Sequence, residues 1–332
     1  MVTASAPHKV ILFGEHAVVH GMLGIAGALD ERITAVVQPS KDIRCHDSLL
    51  DLNNFNADVK EMKLFLDRFR KLLSEKNFDE IKKLSAMKTV IAETLDRCDW
   101  ENVSVEIKRK EILKGIGASS AVWAATAAAI GKFLGNDFTK EQISEISYIG
   151  DVVAHGGTPS GIDNSTVTFG GFITYTKETG PRPLSINFEL PIIVIYSDEF
   201  ASTGTTVRYI HEQLEKEPER VSIILDNLNE ISKKGLDALN NRDLKIIGQM
   251  MTEYYNELHK LGISTETLDK IMKIAMENGA LGAKPTGGWG GGVCIALAKD
   301  AVDSDKLIEM FRKSGFRAFK TKLGAPGVRI ES

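Results

Sequence analysis

Residues 103 to 134, VSVEIKRKEILKGIGASSAVWAATAAAIGKFL, pass from an alternating stretch through a glycine turn into a run rich in alanine. Val103, Val105 and Ile107 recur at every second position, the period of a strand with one buried face. The alanine run reads as a closely packed helix, since alanine has the highest helix propensity. Between them stand Gly115 and Gly117, followed by Ala118, Ser119 and Ser120 where the helix begins. Glycines at such a junction let backbone N–H groups converge without Cβ interference, and a helix start adds free donors and the positive end of its dipole. An anion would be stabilised there, and the serine hydroxyls would add donors or magnesium ligands. The plain alternative is a turn followed by a serine N-cap.

The common nucleotide motifs are absent. There is no GxxxxGK[ST], Gly115-x-Gly117 lacks the third glycine of a dinucleotide fingerprint, and no HRD or DFG occurs. A nucleotide held by this turn needs a different fold.

Working outward, Lys9 to Phe13 (KVILF) stops at Gly14 and is followed by a second apolar segment around Leu23 to Ala28, which reads as strand, loop, strand. Residues 57 to 98 are helix-like, with Leu84, Met87, Ile91 and Leu95 on one face. Downstream, a helix is expected over 139 to 154, then strands at FITYT and at PIIVIYS (191 to 197). From 205 to 261 the pattern is helical, with breaks expected at Pro218, around Gly235 and at Asn240-Asn241. Leu268, Ile271, Met272 and Ala275 form another stripe, stopped by Asn278-Gly279. The chain closes with the strand VCIALA, a helix near 304 to 314, and short strands near 317 to 321 and 327 to 331. Interspersed strands and helices predict an α+β architecture, with a domain boundary near 185.

Three further constellations carry chemistry. KPTGGWGGGVCIAL, residues 284 to 297, sets five glycines around Trp289; it is a second cradle, or close packing before a strand. HGGTPSGIDNSTVTFGG, residues 155 to 171, puts Asp163 inside a glycine, proline and serine turn, where an Asx turn is the plain reading. SAPHKVILFGEHAVVHG, residues 5 to 21, has Lys9, Glu15 and His16 at the two ends of one apolar strand. A charge on such a strand sits at its exposed start or is aimed into a site.

Composition narrows the class. A chain of 332 residues, 26% charged, is long enough for two domains with cores of their own. A net charge of -4 argues against a nucleic-acid partner and for small molecules. Cys45, Cys98 and Cys294 are scattered, with neither disulfide-framework nor zinc spacing. No basic leader with a long apolar core opens the chain, and no stretch approaches the ~18 apolar residues of a membrane span. The expectation is a soluble, cytoplasmic protein with no membrane partner.

In this order, the segments resemble the GHMP kinases over nearly the whole chain. APHKVILFGEHAVVHG is similar to the N-terminal motif of the mevalonate kinase family, PSGIDNSTVTFGG to its PSGxDN motif, and ELPIIVIYSDEFASTGTTVRYI to its strand followed by a Ser-Thr turn. The resemblance implies a two-domain GHMP kinase fold, with an N-terminal domain over 1–185, a C-terminal domain over 186–332 and the active site in the cleft between them. It also implies phosphoryl transfer from ATP with Mg2+ to the 5-hydroxyl of mevalonate, in isoprenoid biosynthesis. Lys9 matches the lysine that stabilises charge near the transferred phosphate, and Asp163 the aspartate that takes or orients the hydroxyl proton. Ser119 matches the serine that reaches magnesium and phosphate if the motifs are laid together without a gap, Ser120 if a gap falls at Ala118. Asp151 takes the place of a glutamate that helps hold magnesium.

Glu15, His16 and Thr203 match the substrate end. Lys114, Gly115, Ile116, Gly117, Ala118, Ser119, Ser120, Gly287 and Gly288 match the ATP loops. A homodimer is a further implication. Three departures stand out: His8 where glycine is usual, Ala118 within the serine register, and Trp289, whose indole either packs on nearby helices or narrows the nucleotide end. The alternatives are a GHMP kinase for phosphomevalonate or another small alcohol, and a catalytically silent ligand-binding protein on the same fold.

Overall fold

The computed structural model describes residues 1–109, 115–157, 159–199, 203–289 and 291–331. Two long antiparallel strands organise the first half, β1 (Val2–Phe13) and β2 (Gly24–Pro39). Both are longer than the apolar patches that announced them. Next come β3 (Ile43–Asp47), β4 (Phe55–Ala57), helices α1 (Val59–Ser74), α2 (Phe78–Ile81) and α3 (Ala86–Asp96), and β5 (Val103–Lys108). They are followed by α4 (Ala118–Phe133), α5 (Lys140–His155), α6 (Ile162–Phe169), β6 (Phe172–Thr176) and β7 (Gly180–Leu184).

β1 and β2 form the spine of the first sheet. The outer edge of β2 is shared by β5 along Thr34–Pro39 and by β6 along Gly24–Gly27, while β3 joins β5 in parallel. Helices α1, α3, α4 and α5 cover one face around a core that includes Ile33, Val105, Ile91, Ala125 and Ile146. The alanine run is what lets α4 lie directly on β1 and β2.

The second half contributes β8 (Ile192–Tyr196), α7 (Thr203–Lys216), α8 (Pro218–Asn240), α9 (Leu244–His259), α10 (Glu266–Glu277), β9 (Gly282–Thr286), β10 (Val293–Leu297), α11 (Ala301–Lys313), β11 (Arg317–Thr321) and β12 (Arg329–Ile330). A second antiparallel sheet runs β11-β8-β10-β9. Its central strands bury both faces by simple alternation: Ile192, Val194 and Tyr196 face a core shared with β1, α8 and α9, whereas Ile193 and Ile195 face α10 and α11. The last strand, β12, returns to pair with β1 in the first sheet.

Two sequence expectations need correction. Gly235 does not break a helix; it lies inside α8, where a Cβ would sit 2.6 Å from Phe13 Cε2, so glycine permits close packing of α8 on β1. Asp163 lies not in an irregular turn but in the first turn of α6.

Candidate active site

The backbone N–H of Lys9 donates to the carbonyl of Ile116 at 2.9 Å, so β1 lies against the glycine turn before α4. The Lys9 side chain then passes over Gly117, where a Cβ would fall 2.7 Å from Lys9 Cγ and 2.9 Å from Cε. Gly117 also has φ 70°. Both facts require glycine there. Lys9, 1% exposed, ends in an ion pair with Asp163, its Nζ 2.7 Å from Oδ1, while the carboxylate is 35% exposed. A lysine buried along its stem and a carboxylate open to one side present a paired charge to the cleft.

Asp163 is aimed by the glycine that precedes its helix. Gly161 caps α6 at φ 92°, and a Cβ there would come within 2.3 Å of the Tyr175 hydroxyl.

Asp151, about one turn from the end of α5, is buried and accepts from Ser120 Oγ at 2.9 and 2.8 Å. Burial raises this carboxyl to about 8, the negative charge of Asp163 adding to the effect. The structure therefore decides the serine register: Ser120 reaches Asp151, whereas Ser119, expected beside it as a metal ligand, is exposed and lacks that contact. A hydroxyl and a carboxylate starved of positive charge are hard oxygen donors that suit Mg2+, which commonly takes one or two protein ligands and completes its shell with phosphate and water.

α4 begins at Gly117 with no side-chain cap and no acidic residue in its first turn. Its leading N–H groups remain available to an anion. The second glycine loop faces this turn, since a Cβ on Gly287 would lie 3.0 Å from the carbonyl oxygen of Gly115. Trp289 does not narrow the cleft. It is 1% exposed and stacks on Tyr255 of α9, ring centroids 5.9 Å apart. Lys114 lies outside the described residues; Thr203 opens α7, its side chain outside the description.

At the far end of β1, Glu15 is wholly buried and ion-paired with Lys284 of β9, also wholly buried. Loss of water pushes the Glu15 carboxyl up and the Lys284 ammonium down, and the pairing opposes both shifts. His16 adopts φ 62°, and both its ring nitrogens are buried without a hydrogen-bond partner. Burial lowers it to about 4, so it is neutral at pH 7. His155, at the end of α5, is also lowered, by loss of water first, with Asp163 raising it and Lys9 lowering it.

Lys284 and Ser120's pairing with Asp151 are the features that sequence reasoning passed over or left open. A signal for Lys284 existed: it is a lone charge in an apolar strand, as Lys9 is. A groove of about 700 Å3 lined by Tyr148, Asn164 and Tyr175 lies against α5 and α6 but includes neither Lys9 nor Asp163.

This geometry has counterparts. Residues 82–171 match the model of the GHMP kinases N terminal domain, and residues 236–317 that of the GHMP kinases C terminal. The chain is 32% identical to the mevalonate kinase of Pyrococcus furiosus, with 99% of this chain and 98% of that protein covered. It belongs to the mevalonate kinase family of GHMP kinases. The fold agrees with this membership. A crystal structure of L. major mevalonate kinase in complex with R-mevalonate superposes with a TM-score of 0.77 at 24% identity, covering 98% of this chain and 97% of that one. The Methanococcus jannaschii mevalonate kinase gives a TM-score of 0.78 at 24% identity, covering 97% and 98%. This GHMP kinase is thus an ATP-dependent enzyme of α+β, two-domain type.

Proposed function

We propose that this kinase transfers the γ-phosphate of ATP to the 5-hydroxyl of (R)-mevalonate, giving 5-phosphomevalonate for isoprenoid synthesis. The observation that carries the proposal is the Lys9–Asp163 pair, held at 2.7 Å against the uncapped start of α4. Full-length identity of 32% to a mevalonate kinase supports mevalonate as acceptor.

Asp163 orients the acceptor hydroxyl and takes its proton. A carboxylate is a weak base, but in a loose transition state the proton leaves late, and the Lys9 ammonium holds both the carboxylate and the incoming oxygen. The N–H groups from Gly115 to Ser119 and those of Gly287 and Gly288 receive the phosphates, fixed donors that need no reorganisation as charge moves. Asp151 and Ser120 would hold Mg2+, which supplies neutralisation of phosphate charge when bound. Glu15, His16 and Thr203 belong to the acceptor end. The chain divides near residue 185 into an N-terminal ATP-binding domain and a C-terminal domain, a reading supported by the change of sheet between Leu184 and Ile192.

The test is ADP release with MgATP and, in turn, mevalonate, phosphomevalonate, galactose and homoserine, with Asp163→Ala as control. Turnover on mevalonate, lost in the variant, is the expected result. Turnover on another acceptor alone would transfer the same machinery to that alcohol, and ATP binding without turnover on any would leave a silent binding protein.

A further inference from the structure

Lys284 does something the catalytic pair does not account for. It stands in β9 of the second sheet, yet its ammonium crosses to the first half of the chain, where it bonds Glu15 Oε1. It also donates to the carbonyls of Pro285 at 2.9 Å and Ile11 at 3.4 Å, and lies 5.4 Å from the centre of the Tyr254 ring. Its surroundings therefore account for its hydrogen-bonding capacity of three donors. Next to it Thr286 exchanges two hydrogen bonds with the backbone of Ile11, at 2.9 and 3.0 Å, and Tyr254 donates to the backbone carbonyl of Glu15 at 2.9 Å. The bonds from Lys284, Thr286 and Tyr254 to Ile11 and Glu15 fix that stretch from the side of the second half of the chain.

Satisfaction stops at one point. Glu15 Oε2 and both ring nitrogens of the next residue, His16, are buried with no hydrogen bond of good geometry, the Gly288 backbone lying close to the His16 ring. Three such atoms in two consecutive residues are not a stable end state for a core, where nearly every buried polar atom finds a bond. They mark a place that a polar ligand completes. Lys284 saturates one oxygen of Glu15 and leaves the other.

We propose that Lys284 is a positioning residue for the acceptor: by binding Glu15 Oε1 it holds the carboxyl group turned so that Oε2 is the atom offered to the substrate. This rests on the reading of Glu15 and His16 as the acceptor end. It predicts that loss of Lys284 damages recognition of the acceptor and leaves recognition of ATP alone, because no contact of Lys284 given above runs to either phosphate loop beyond its own strand.

The experiment measures KM for mevalonate, KM for ATP and kcat on the full chain for wild type, Lys284→Met, Lys284→Arg, Glu15→Gln and the double variant Glu15→Gln/Lys284→Met. Wild-type turnover on mevalonate comes first; if it is missing, the acceptor assignment has failed and not the role of Lys284. Given turnover, Lys284→Met raises KM for mevalonate about tenfold or more while KM for ATP stays within about twofold, and Lys284→Arg recovers part of the loss. Lys284→Met leaves a buried charge alone and is the variant most prone to misfold. The double variant removes both charges at nearly the same volume, and, because Lys284 acts through Glu15, its KM for mevalonate is expected to match that of Glu15→Gln alone; a further rise beyond that single variant would overturn the proposal. Equal changes in both KM values, or a lowered melting temperature with both KM values unchanged, in whichever of these variants folds, would overturn the proposal and leave Lys284 as a clamp between the two sheets.

Discussion

The glycine turn at 115–117 and the second glycine loop, described over Gly287–Trp289 and at Gly291 and Gly292, lie against each other, yet they are held in different ways. In the first, neighbours demand the glycines: a Cβ on Gly115 would press on Val293 Cγ2 at 3.0 Å, and one on Gly117 would collide with Lys9. The turn is fixed by its backbone, through the bond from Lys9 N–H to Ile116. In the second, Gly292 at φ 92° has nothing within 4 Å of where a Cβ would be, so glycine serves conformation there and not space. Backbone bonds tie Gly292 to Glu199 and Ser197 at 3.0 and 2.9 Å, and a side chain adds an anchor that the first turn lacks. Trp289, at φ 61°, accepts a strained backbone and sinks its indole onto Tyr255. Crowding is common to both loops, since a Cβ on Gly287 or Gly291 would also meet a neighbour at 3.0 Å; what sets the second apart is a single large residue anchored beside it.

That contrast can be broken by substitution. Trp289→Gly should show the largest energetic effect, a loss of about 3–5 kcal/mol of stability from an emptied aromatic site, partly offset by relief of backbone strain. Urea unfolding measures it. An unchanged midpoint would mean that the indole anchors nothing. At the first loop the loss should fall on catalysis instead. Lys9→Met and Asp163→Ala are each expected to lower kcat by about 10² or more with the fold kept, as judged by circular dichroism; near-normal turnover in either folded protein would remove that residue from the chemistry.

Gly117→Ala sharpens the comparison further, since the new methyl displaces Lys9 in a backbone region that disfavours alanine. A fall in kcat of about tenfold, with a stability cost of only about 1–2 kcal/mol, is expected. If stability collapsed while kcat survived, the first loop would be structural after all.

The smallest effect concerns the histidine beside the first turn. His8 lies buried near Ile116 and is lowered to about 4 from 6.5 by burial, with the backbone of Ile116 opposing and Arg109 adding. A base lowered in the folded state gives stability that is present above its unfolded value and is lost as pH falls toward the folded one. Between pH 6.5 and 5.5 wild type should therefore lose about 1 kcal/mol relative to His8→Gln. Asp151, raised to about 8, changes stability in the opposite sense over the same window, which is why the measurement is a difference between proteins. A flat difference would mean that His8 is not buried neutral.

Much of this was legible in the chain itself. Alternation at Val103, Val105 and Ile107 marked a strand, and the spacing of Leu84, Met87, Ile91 and Leu95 marked a helix, because local periodicity records which face meets the core. Lys9 and Asp163 were singled out by the family resemblance, the Asx turn being the plain reading of Asp163 from its residues alone, and the structure brings the two together as an ion pair. Gly235 was misread because a glycine that breaks a helix and one that admits a neighbour look alike until the neighbour, Phe13, is known. Likewise β3 and β4 were not foreseen, since their five and three residues carry too short a pattern.

The sequence by itself determined the longer elements and the two glycine-rich loops, because each depends on residues close together in the chain. Only the tertiary structure decided which serine meets Asp151, that the tryptophan turns to Tyr255, and that Lys284 spans some 269 positions to hold Glu15. Such contacts follow from how two sheets and their helices are laid on one another, and no spacing along the chain encodes that distance in space.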